Sequence, residues 1–353
     1  MSHGRKKILV TGATGFVGSR VVRKLVDEGH EVKALCRPGA SLRSLADVPR
    51  DAYEVAEGDI TLVGTVYRAL AGCDRMIHTA AVVKMWDRDP RVVLDGSIVG
   101  MRETLSAARS RDLDKIVVTS SVTTLGTSPT PEPADETKQN NLEDPEQYVR
   151  AKIEAEKIAL AAADDGMPIV VVMPTAIYGP GDWRPTMSGA GLLEYLNWPW
   201  PFRFPCNEGG VCVADVDDVA AGHVAALDKG RVGERYLLGG ENLTFRAFFE
   251  TIAQLAGLPG PGANAPRGAA MLAGRLMELG ARLSGGEPSL TYRMARDYVG
   301  AYQWASSAKA ERELGYRHRP ARKALARSIR WYVENGYLTR AARERVHLDL
   351  RSA

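Results

Sequence analysis

The chain has 353 residues, of which 45% are apolar and 25% are charged, and its formal net charge is +3. These values are ordinary for a globular protein. No run approaches the roughly 18 apolar residues that a membrane span requires, and the basic start is not followed by a secretory pattern, so we expect a cytoplasmic protein without membrane insertion. The four cysteines and six histidines show no metal-site spacing, which predicts no metal.

In the first half of the chain, short β-branched runs alternate with helical stretches. Strands are predicted at Lys7–Val10, Val32–Cys36, Tyr53–Glu57, Arg75–Thr79, Lys115–Ser120 and Ile169–Met173. Helices are predicted between them, at Val17–Glu28, Leu42–Val48, Val63–Ala71, Val92–Arg111 and Tyr148–Ala163. Nearly continuous apolar strands separated by helices predict an α/β fold with a doubly wound parallel sheet of the Rossmann type.

After Pro174 the pattern becomes less regular. A strand and a helix are predicted over Val211–Leu227, a helix over Thr244–Ala256 and an amphipathic helix over Ala269–Leu283. We therefore expect an NADP-binding domain at 1–180, completed by 211–241, and a smaller, discontinuous C-terminal substrate domain at 181–210 and 242–353. Single arginines at helical spacing in the last third predict a solvated helix face, and no nucleic-acid motif accompanies them.

A glycine-rich turn follows the first strand and opens the first helix. A pyrophosphate can bind there, because the free N–H groups and the dipole of a helix N-terminus favour negative charge. The spacing is GxxGxxG, and a plain strand-to-helix turn is the alternative. The predicted pyrophosphate site comprises Gly12, Thr14, Gly15, Phe16, Val17 and Gly18.

The end of the second strand carries Arg37 where NAD-specific folds carry an acidic residue. A guanidinium there can pair with a 2′-phosphate, which predicts NADP(H) rather than NAD(H), and Arg43 is near enough in sequence to assist. The alternative is that Arg37 is a solvated loop residue. After the third strand, Asp59 can accept a hydrogen bond from adenine or cap the next helix.

Tyr148 and Lys152 lie four residues apart at the start of a predicted helix, and therefore on one face of it. A free phenol titrates at about 10, and an adjacent ammonium lowers that pKa. Tyr148 can then act as general acid or base while Lys152 holds the nicotinamide ribose. Ser121, just after the fifth strand, can hydrogen-bond the substrate oxygen; a serine that caps a turn is the alternative.

Five segments occur in an order that resembles the extended short-chain dehydrogenase/reductase family: TGATGFVG (11–18), HTAA (78–81), TSSVTTLG (119–126), YVRAK (148–152) and PTAIYGP (174–180). Within the family, the chain is similar to dihydroflavonol 4-reductase-like proteins and hopanoid-associated sugar epimerases. The resemblance implies that Ser121, Tyr148 and Lys152 are catalytic. It also implies further cofactor contacts for Asp59, Ile60, Thr79, Ala80, Ala81, Thr119, Ser120, Pro174, Thr175, Ala176 and Ile177.

The resemblance further implies a homodimer through the helices at Val92–Arg111 and Tyr148–Ala163. Two positions depart from the family pattern. Ser97 stands where many relatives carry an asparagine, and Asp215 stands where relatives often carry histidine or tyrosine. Neither departure changes the predicted catalytic residues.

The substrate is predicted from side chains near the expected cleft. Large aromatic residues offer apolar contact area, although they also fill domain cores. The sequence therefore predicts an NADP(H)-dependent oxidoreductase that reduces a ketone or aldehyde of a hydrophobic small molecule. A nucleotide-sugar epimerase or dehydratase, with Arg184 and Arg203 on the diphosphate, and a catalytically silent cofactor-binding sensor are the alternatives. The predicted substrate contacts are Lys84, Met85, Trp86, Ser121, Tyr148, Trp198 and Trp200.

Overall fold

The structure is a computed structural model that describes residues 6–199 and 201–348. Its strands are β1 (Lys7–Thr11), β2 (Glu31–Cys36), β3 (Tyr53–Glu57), β4 (Arg75–His78), β5 (Lys115–Thr119), β6 (Ile169–Pro174), β7 (Ala176–Tyr178), β8 (Gly209–Asp215), β9 (Arg235–Leu238), β10 (Glu241–Thr244) and β11 (Ala301–Gln303). Its helices are α1 (Phe16–Asp27), α2 (Val63–Ala69), α3 (Pro90–Arg109), α4 (Gln147–Asp164), α5 (Met187–Asn197), α6 (Val216–Lys229), α7 (Phe245–Ala256), α8 (Arg267–Ser284), α9 (Tyr292–Tyr298), α10 (Ala308–Leu314), α11 (Ala321–Glu334) and α12 (Arg340–Arg345).

The main sheet has seven parallel strands in the order β3-β2-β1-β4-β5-β6-β9. Successive strand residues point to opposite faces, so Ile8 and Val10 enter one core while Leu9 enters the other. Helices α1 and α6 cover the first core, and α2, α3 and α4 cover the second. The predicted doubly wound α/β fold is confirmed. Its strand order reverses between β1 and β4, where such sheets bind ligands at their carboxyl edge.

Two elements of this sheet differ from the sequence prediction. The helix predicted at Leu42–Val48 is wrong, because only a single 3-10 turn forms there, at Arg43–Leu45. Pro49 explains the stop, since a proline disfavours helical geometry in the residue before it. The edge strand β9 was not predicted from its four residues, although three of them are fully buried.

A second, smaller sheet lies beyond the main one. Its central strand β8 pairs antiparallel with β10 and parallel with β7 and β11. A third core joins this sheet to α5, α7 and α11. Sheet membership divides the chain less cleanly than the predicted ranges, because β7 lies within 1–180 and β8 within 211–241. Only α6 and β9 of the second range pack with the main sheet, together with α10.

Helices α8 and α9 pack on each other and form a hairpin, residues 267–298, which we call the α8–α9 hairpin. Gly274 brings the two helices close, since a Cβ at that position would lie 2.6 Å from the carbonyl oxygen of Thr291. The helix predicted at Ala269–Leu283 is confirmed as α8. In the described part of the chain, no helix is both long enough and apolar enough to cross a bilayer.

Candidate active site

The glycine turn after β1 packs tightly against the loop after β4. Gly12 has a φ of +68°, and a Cβ there would lie 2.8 Å from the nitrogen of Ala80. A Cβ on Gly18 would lie 2.1 Å from the carbonyl oxygen of Gly12. The Thr79 hydroxyl donates to the Thr11 carbonyl at 2.7 Å. Both glycine positions therefore exclude any side chain, and the predicted residues Thr79 and Ala80 lie beside the turn.

The N-terminus of α1 opens at this turn. Gly15 is the residue before the helix; it is exposed and provides no side-chain cap. The first N–H groups of a helix lack partners within it, so those of Phe16 and Val17 are available to an anion. Thr14 is partly exposed, and its carbonyl accepts from the Ser44 hydroxyl at 3.0 Å. This side-chain-free cradle at a positive helix end fits the pyrophosphate of a dinucleotide.

Arg37 is exposed immediately after β2 and forms no ion pair or hydrogen bond within 6–199 and 201–348. Its charge helps to lower the pKa of the Asp59 carboxyl, after the larger effect of the Thr61 N–H that donates to it. Asp59 is bound within its own turn and does not cap α2, whose N-cap is Leu62, so the capping alternative is wrong.

Two neighbours of this edge behave differently from each other. Ile60 packs against α3, where a Cβ on Gly100 would lie 2.5 Å from its Cδ1. Arg43, expected to assist Arg37, is bound elsewhere: its guanidinium stacks 4.3 Å above the Trp183 ring and donates to the Trp183 carbonyl at 3.1 Å. Arg37 is therefore the arginine at this edge that remains available to a phosphate.

Tyr148 lies buried in the first turn of α4, next to Ser121. Burial raises the pKa of its phenol, and the Ser121 hydroxyl is close enough to oppose that rise. Ser121 also caps the 3-10 turn that follows β5, because its Oγ accepts from the Thr123 N–H at 3.2 Å and hydroxyl at 2.9 Å. A hydroxyl has two lone pairs and one proton, so the proton of Ser121 is left to point towards the phenol.

Lys152 lies one helical turn after Tyr148 and is buried. Its Nζ donates to the Thr119 carbonyl at 2.9 Å. Burial lowers the pKa of Lys152 to about 8, and the Glu156 carboxylate opposes that shift. The ammonium is thus charged at neutral pH and is held at the carboxyl end of β5.

Two buried, neutral histidines lie near this ammonium. Burial and the Lys152 charge lower the pKa of His78 to about 3, and its Nδ1 is 2.9 Å from the Thr11 hydroxyl. Burial is also the main cause that lowers the pKa of His223 to about 4. His223 Nδ1 lies 2.8 Å from a backbone carbonyl, so Nδ1 is the donor and Nε2 accepts from Thr119 at 2.9 Å. His78 thus connects the lysine to the strand that carries the glycine turn.

Glu156 anchors the segment around the catalytic serine and was not predicted. The hydroxyls of Ser120 and Thr124 both donate to its Oε2, the second at 3.0 Å. Arg235 of β9 donates to its Oε1 at 2.9 Å. The predicted cofactor residue Ser120 therefore has its hydroxyl turned towards α4. The signal available in the sequence is that Tyr148, Lys152 and Glu156 recur every four residues on one helix face.

The remaining predicted cofactor residues lie along the same sheet edge. Ala81 follows β4, Thr119 ends β5 and Pro174 ends β6, and these strands are neighbours. Since the strands are parallel, their carboxyl ends meet at one edge, beside the glycine turn. Thr175 is buried and Ala176–Ile177 are partly buried. A nicotinamide contact for these residues stays a prediction.

The loop after β4 is fixed beside the tyrosine by Gln147. The Gln147 amide accepts from the Asp87 N–H and donates to the Asp87 carbonyl, both at 3.0 Å. Met85 packs against the apolar cluster that contains Tyr148, and Trp86 is buried. Lys84 is paired 2.7 Å from Asp87 and from Glu287. Of these predicted substrate residues, Met85 has the clearest contact with the catalytic helix.

The predicted aromatic contacts in the second region have other neighbours. Trp198 packs edge-on against Phe204, with ring centroids 4.9 Å apart, and its carbonyl accepts from Arg345 at 3.1 Å. These contacts belong to the core around α5 and α7. Trp200 lies outside the described residues. A substrate contact for either tryptophan stays a prediction.

The two departures from the family pattern have structural roles. Ser97, on α3, accepts from the Val82 N–H at 3.4 Å and so holds the start of the Met85 loop. Asp215 is fully buried, caps α6 through the Asp217 N–H at 2.8 Å, and pairs with Arg319 and Arg327 at 3.2 Å and 2.6 Å. Neither residue contacts the catalytic groups through a described hydrogen bond.

Three polar side chains beside Tyr148 were missed because they lie far away in sequence or precede the motif. Glu146 is 1% exposed; one carboxyl oxygen accepts from Thr291, and the other is buried without a partner. The Tyr298 hydroxyl and the Gln303 amide nitrogen are also buried and unpaired within the described residues. Tyr298 is near enough to both Tyr148 and Glu146 for their charges to affect its pKa. Buried unpaired polar atoms are costly, so these three suit a bound polar group.

This fold and site define the class of Rossmann-fold enzymes that use a nicotinamide dinucleotide. The family whose model is described as "NAD dependent epimerase/dehydratase family" matches residues 8–197. The chain belongs to that family and is an NAD(P)-dependent enzyme of the extended short-chain dehydrogenase/reductase type. The resemblance inferred from the sequence motifs is confirmed.

Three similar proteins span nearly the whole chain. A putative dihydroflavonol 4-reductase of Synechocystis sp. is 31% identical, covering 93% of this chain and 95% of that protein. Sterol demethylase protein B of Methylococcus capsulatus is 30% identical, covering 94% and 99%. The crystal structure of PA4631, a nucleoside-diphosphate-sugar epimerase from Pseudomonas aeruginosa, is 26% identical, has a TM-score of 0.77, and covers 95% of this chain and 99% of that chain.

Proposed function

We propose that the protein is an NADP(H)-dependent reductase of a ketone or aldehyde carried by a hydrophobic small molecule. The observation that carries this proposal is the buried pair of Tyr148 and Ser121, beside Lys152, at the sheet edge that holds the glycine turn. When bound, the dinucleotide supplies the hydride. The remaining steps of the proposal depend on the chain's own side chains.

The preference for NADP(H) rests on the charge at the end of β2. Arg37 is exposed, follows the last strand residue directly, and has no acidic side chain paired with it among the described residues. Selective binding of NAD needs a carboxylate that accepts from the ribose 2′-hydroxyl, whereas a 2′-phosphate needs a cation. Asp59 is held by Thr61 and is not available to reverse that charge.

The proposed direction, reduction, follows from the protonation of Tyr148. Burial raises the pKa of its phenol, so the phenol carries its proton at neutral pH, the form that can donate to a carbonyl oxygen. Thr123 occupies both lone pairs of Ser121, so the Ser121 hydroxyl donates towards Tyr148 and stabilises negative charge there. The Lys152 ammonium adds positive charge on the same helix face.

A hydrophobic substrate is supported by the surroundings of the tyrosine. Val82, Met85 and Leu142 pack against the cluster that contains Tyr148. One similar protein is named for a sterol and another for a dihydroflavonol. Glu146, Tyr298 and Gln303 would supply a small polar spot in this apolar wall. A pocket of this composition selects a greasy molecule with one or two polar groups.

The experiment is a turnover assay on the full chain with NADPH and a panel of hydrophobic ketones and aldehydes, together with nucleotide sugars. We expect carbonyl reduction, a loss of about 10²- to 10⁴-fold in Tyr148→Phe, and unchanged NADPH binding by that variant. Tyr67→Phe, at an exposed tyrosine on α2, is the matched control and should keep full activity.

Three outcomes would contradict the proposal. Turnover of nucleotide sugars alone would favour the epimerase alternative, to which PA4631 is the named relative. Tight NADPH binding with no turnover of any compound would favour a sensor. A Tyr148→Phe variant with full activity would remove the assigned role of the phenol.

A further inference from the structure

Helix α8 turns its leucines outwards. The exposed fractions are 60% for Leu272, 62% for Leu276, 57% for Leu279 and 81% for Leu283. Their spacing of four, three and four residues places them in one stripe, on the opposite face of α8 from the buried Gly274 and Ala281. A single exposed leucine needs no explanation, but a continuous apolar stripe marks a surface that meets another apolar phase.

The charges beside this leucine stripe are positive. Arg275 and Arg282 are exposed along one edge of the stripe and form no ion pair with any described residue. The single acidic residue of α8, Glu278, is turned towards α9 and accepts from the Tyr292 N–H at 2.7 Å. An apolar face with flanking arginines is typical of helices that lie in the surface of an anionic bilayer.

The α8–α9 hairpin is fastened to both segments that flank the catalytic tyrosine. On one side, Arg88 donates to the Arg282 carbonyl at 2.7 Å, and Lys84 pairs with Glu287 at 2.7 Å. On the other side, Thr291 donates to Glu146. The leucine stripe is therefore held next to the loop of Met85 and the start of α4. A surface bound by α8 would lie close to the opening of the proposed substrate pocket.

We propose that α8 docks the protein on the surface of an anionic lipid bilayer, so that the proposed pocket draws its substrate from the lipid. The docking depends on the leucines and arginines alone. The choice of substrate, a lipid-dissolved carbonyl compound, rests on the proposed function. The two halves are tested separately below.

A second copy of the chain is the rival occupant of the stripe. Four leucines fill about two heptads, whereas a coiled coil needs at least about three or four. Arg275 and Arg282 lie on the same edge, so in a two-fold antiparallel pair they would face the partner's identical arginines. Like charges and a short seam disfavour self-association, whereas an anionic lipid surface satisfies both features.

The docking test is co-sedimentation of the full chain with vesicles, without cofactor or substrate. We expect binding to an equal mixture of phosphatidylcholine and phosphatidylglycerol to be at least about tenfold stronger than to phosphatidylcholine alone. The double variant Leu272→Ser/Leu279→Ser should lose at least about tenfold of that affinity. Val232→Ser, at a residue 47% exposed before β9, is the matched control and should bind like the unchanged chain. All variants should show the same melting temperature, because the replaced side chains are exposed.

The substrate test compares a short ketone in water with a long-chain ketone held in the same vesicles. The stripe variant should keep its rate on the first and lose at least about fivefold on the second. If no carbonyl compound is turned over, the proposed function fails while the vesicle result still decides the docking. Absence of vesicle binding, equal binding by the stripe variant, or a stripe-dependent dimer in sedimentation without vesicle binding would each overturn the docking.

Discussion

The carboxyl edge of the main sheet and the α8–α9 hairpin face each other across the proposed pocket, and they treat polarity in opposite ways. At the sheet edge, ionisable groups such as Lys152, His78 and His223 are fully buried, and their burial sets their protonation. On the hairpin, leucines are exposed and arginines lie unpaired beside them. The edge is arranged for chemistry in a dry site, and the hairpin for contact with a surface outside the molecule.

The comparison separates two kinds of substitution. Changes at the sheet edge should alter cofactor binding or pH dependence by the same factor with and without vesicles. Changes on the leucine stripe should alter only the vesicle-dependent measurements. The following predictions test the first half of that statement, in order of decreasing effect.

The largest effect is expected for Gly18→Ala. The added Cβ would lie 2.1 Å from the Gly12 carbonyl oxygen, so the turn that receives the pyrophosphate must shift. A displacement of this kind can cost about 10²-fold, and we expect NADPH affinity to fall by that order in a fluorescence titration. Gly191→Ala, in α5 with open space around it, is the control and should leave affinity unchanged. Equal affinities for the two variants would contradict the assigned cradle.

An intermediate effect is expected for Arg37→Ala. A charged hydrogen bond contributes about 1.5–3 kcal/mol, so NADPH affinity should fall about 10- to 100-fold while NADH affinity stays within about twofold. Isothermal titration with both cofactors measures this. Arg340→Ala, at an exposed residue of α12, controls for the loss of one positive charge. Equal losses for NADPH and NADH would remove the 2′-phosphate role and weaken the reductase proposal.

The smallest effect is expected from pH. Burial lowers the pKa of Lys152 to about 8, so its ammonium is present below that pH and is lost above it. The value of kcat/KM should therefore fall by up to about tenfold per pH unit above about pH 8. Glu156 raises the pKa of Lys152, so Glu156→Gln should move this decline to lower pH. A rate that stays constant to about pH 9.5 would show that the ammonium is not required.

Much of the sheet edge could be predicted because its signals are local in sequence. Six strands were recognised from short apolar runs, and the glycine turn and the Tyr148–Lys152 pair each occupy fewer than ten consecutive residues. The polar groups that complete the site could not be predicted in this way. Tyr298 and Gln303 reach Tyr148 only through tertiary packing, and no spacing rule relates them to α4.

The hairpin shows a different limit of sequence patterns. The composition of α8 predicted an amphipathic helix, and that prediction is confirmed. A hydrophobic period states that a helix has an apolar face, but it does not state whether that face meets the protein or the exterior. Small residues decided the matter here, because Gly274 and Ala281 let α8 approach α9 closely and left the leucines on the outside.

The hydrogen bonds that Thr123 donates to Ser121 give the site a fixed polarity that should govern inhibitor design. With both lone pairs of Ser121 occupied, a ligand atom next to this hydroxyl can only receive a proton, never offer one. Compounds that present a bare oxygen, such as carboxylates, should bind more tightly than matched primary amines of the same shape. Selectivity between such isosteres would thus be encoded one residue beyond the groups that touch the ligand.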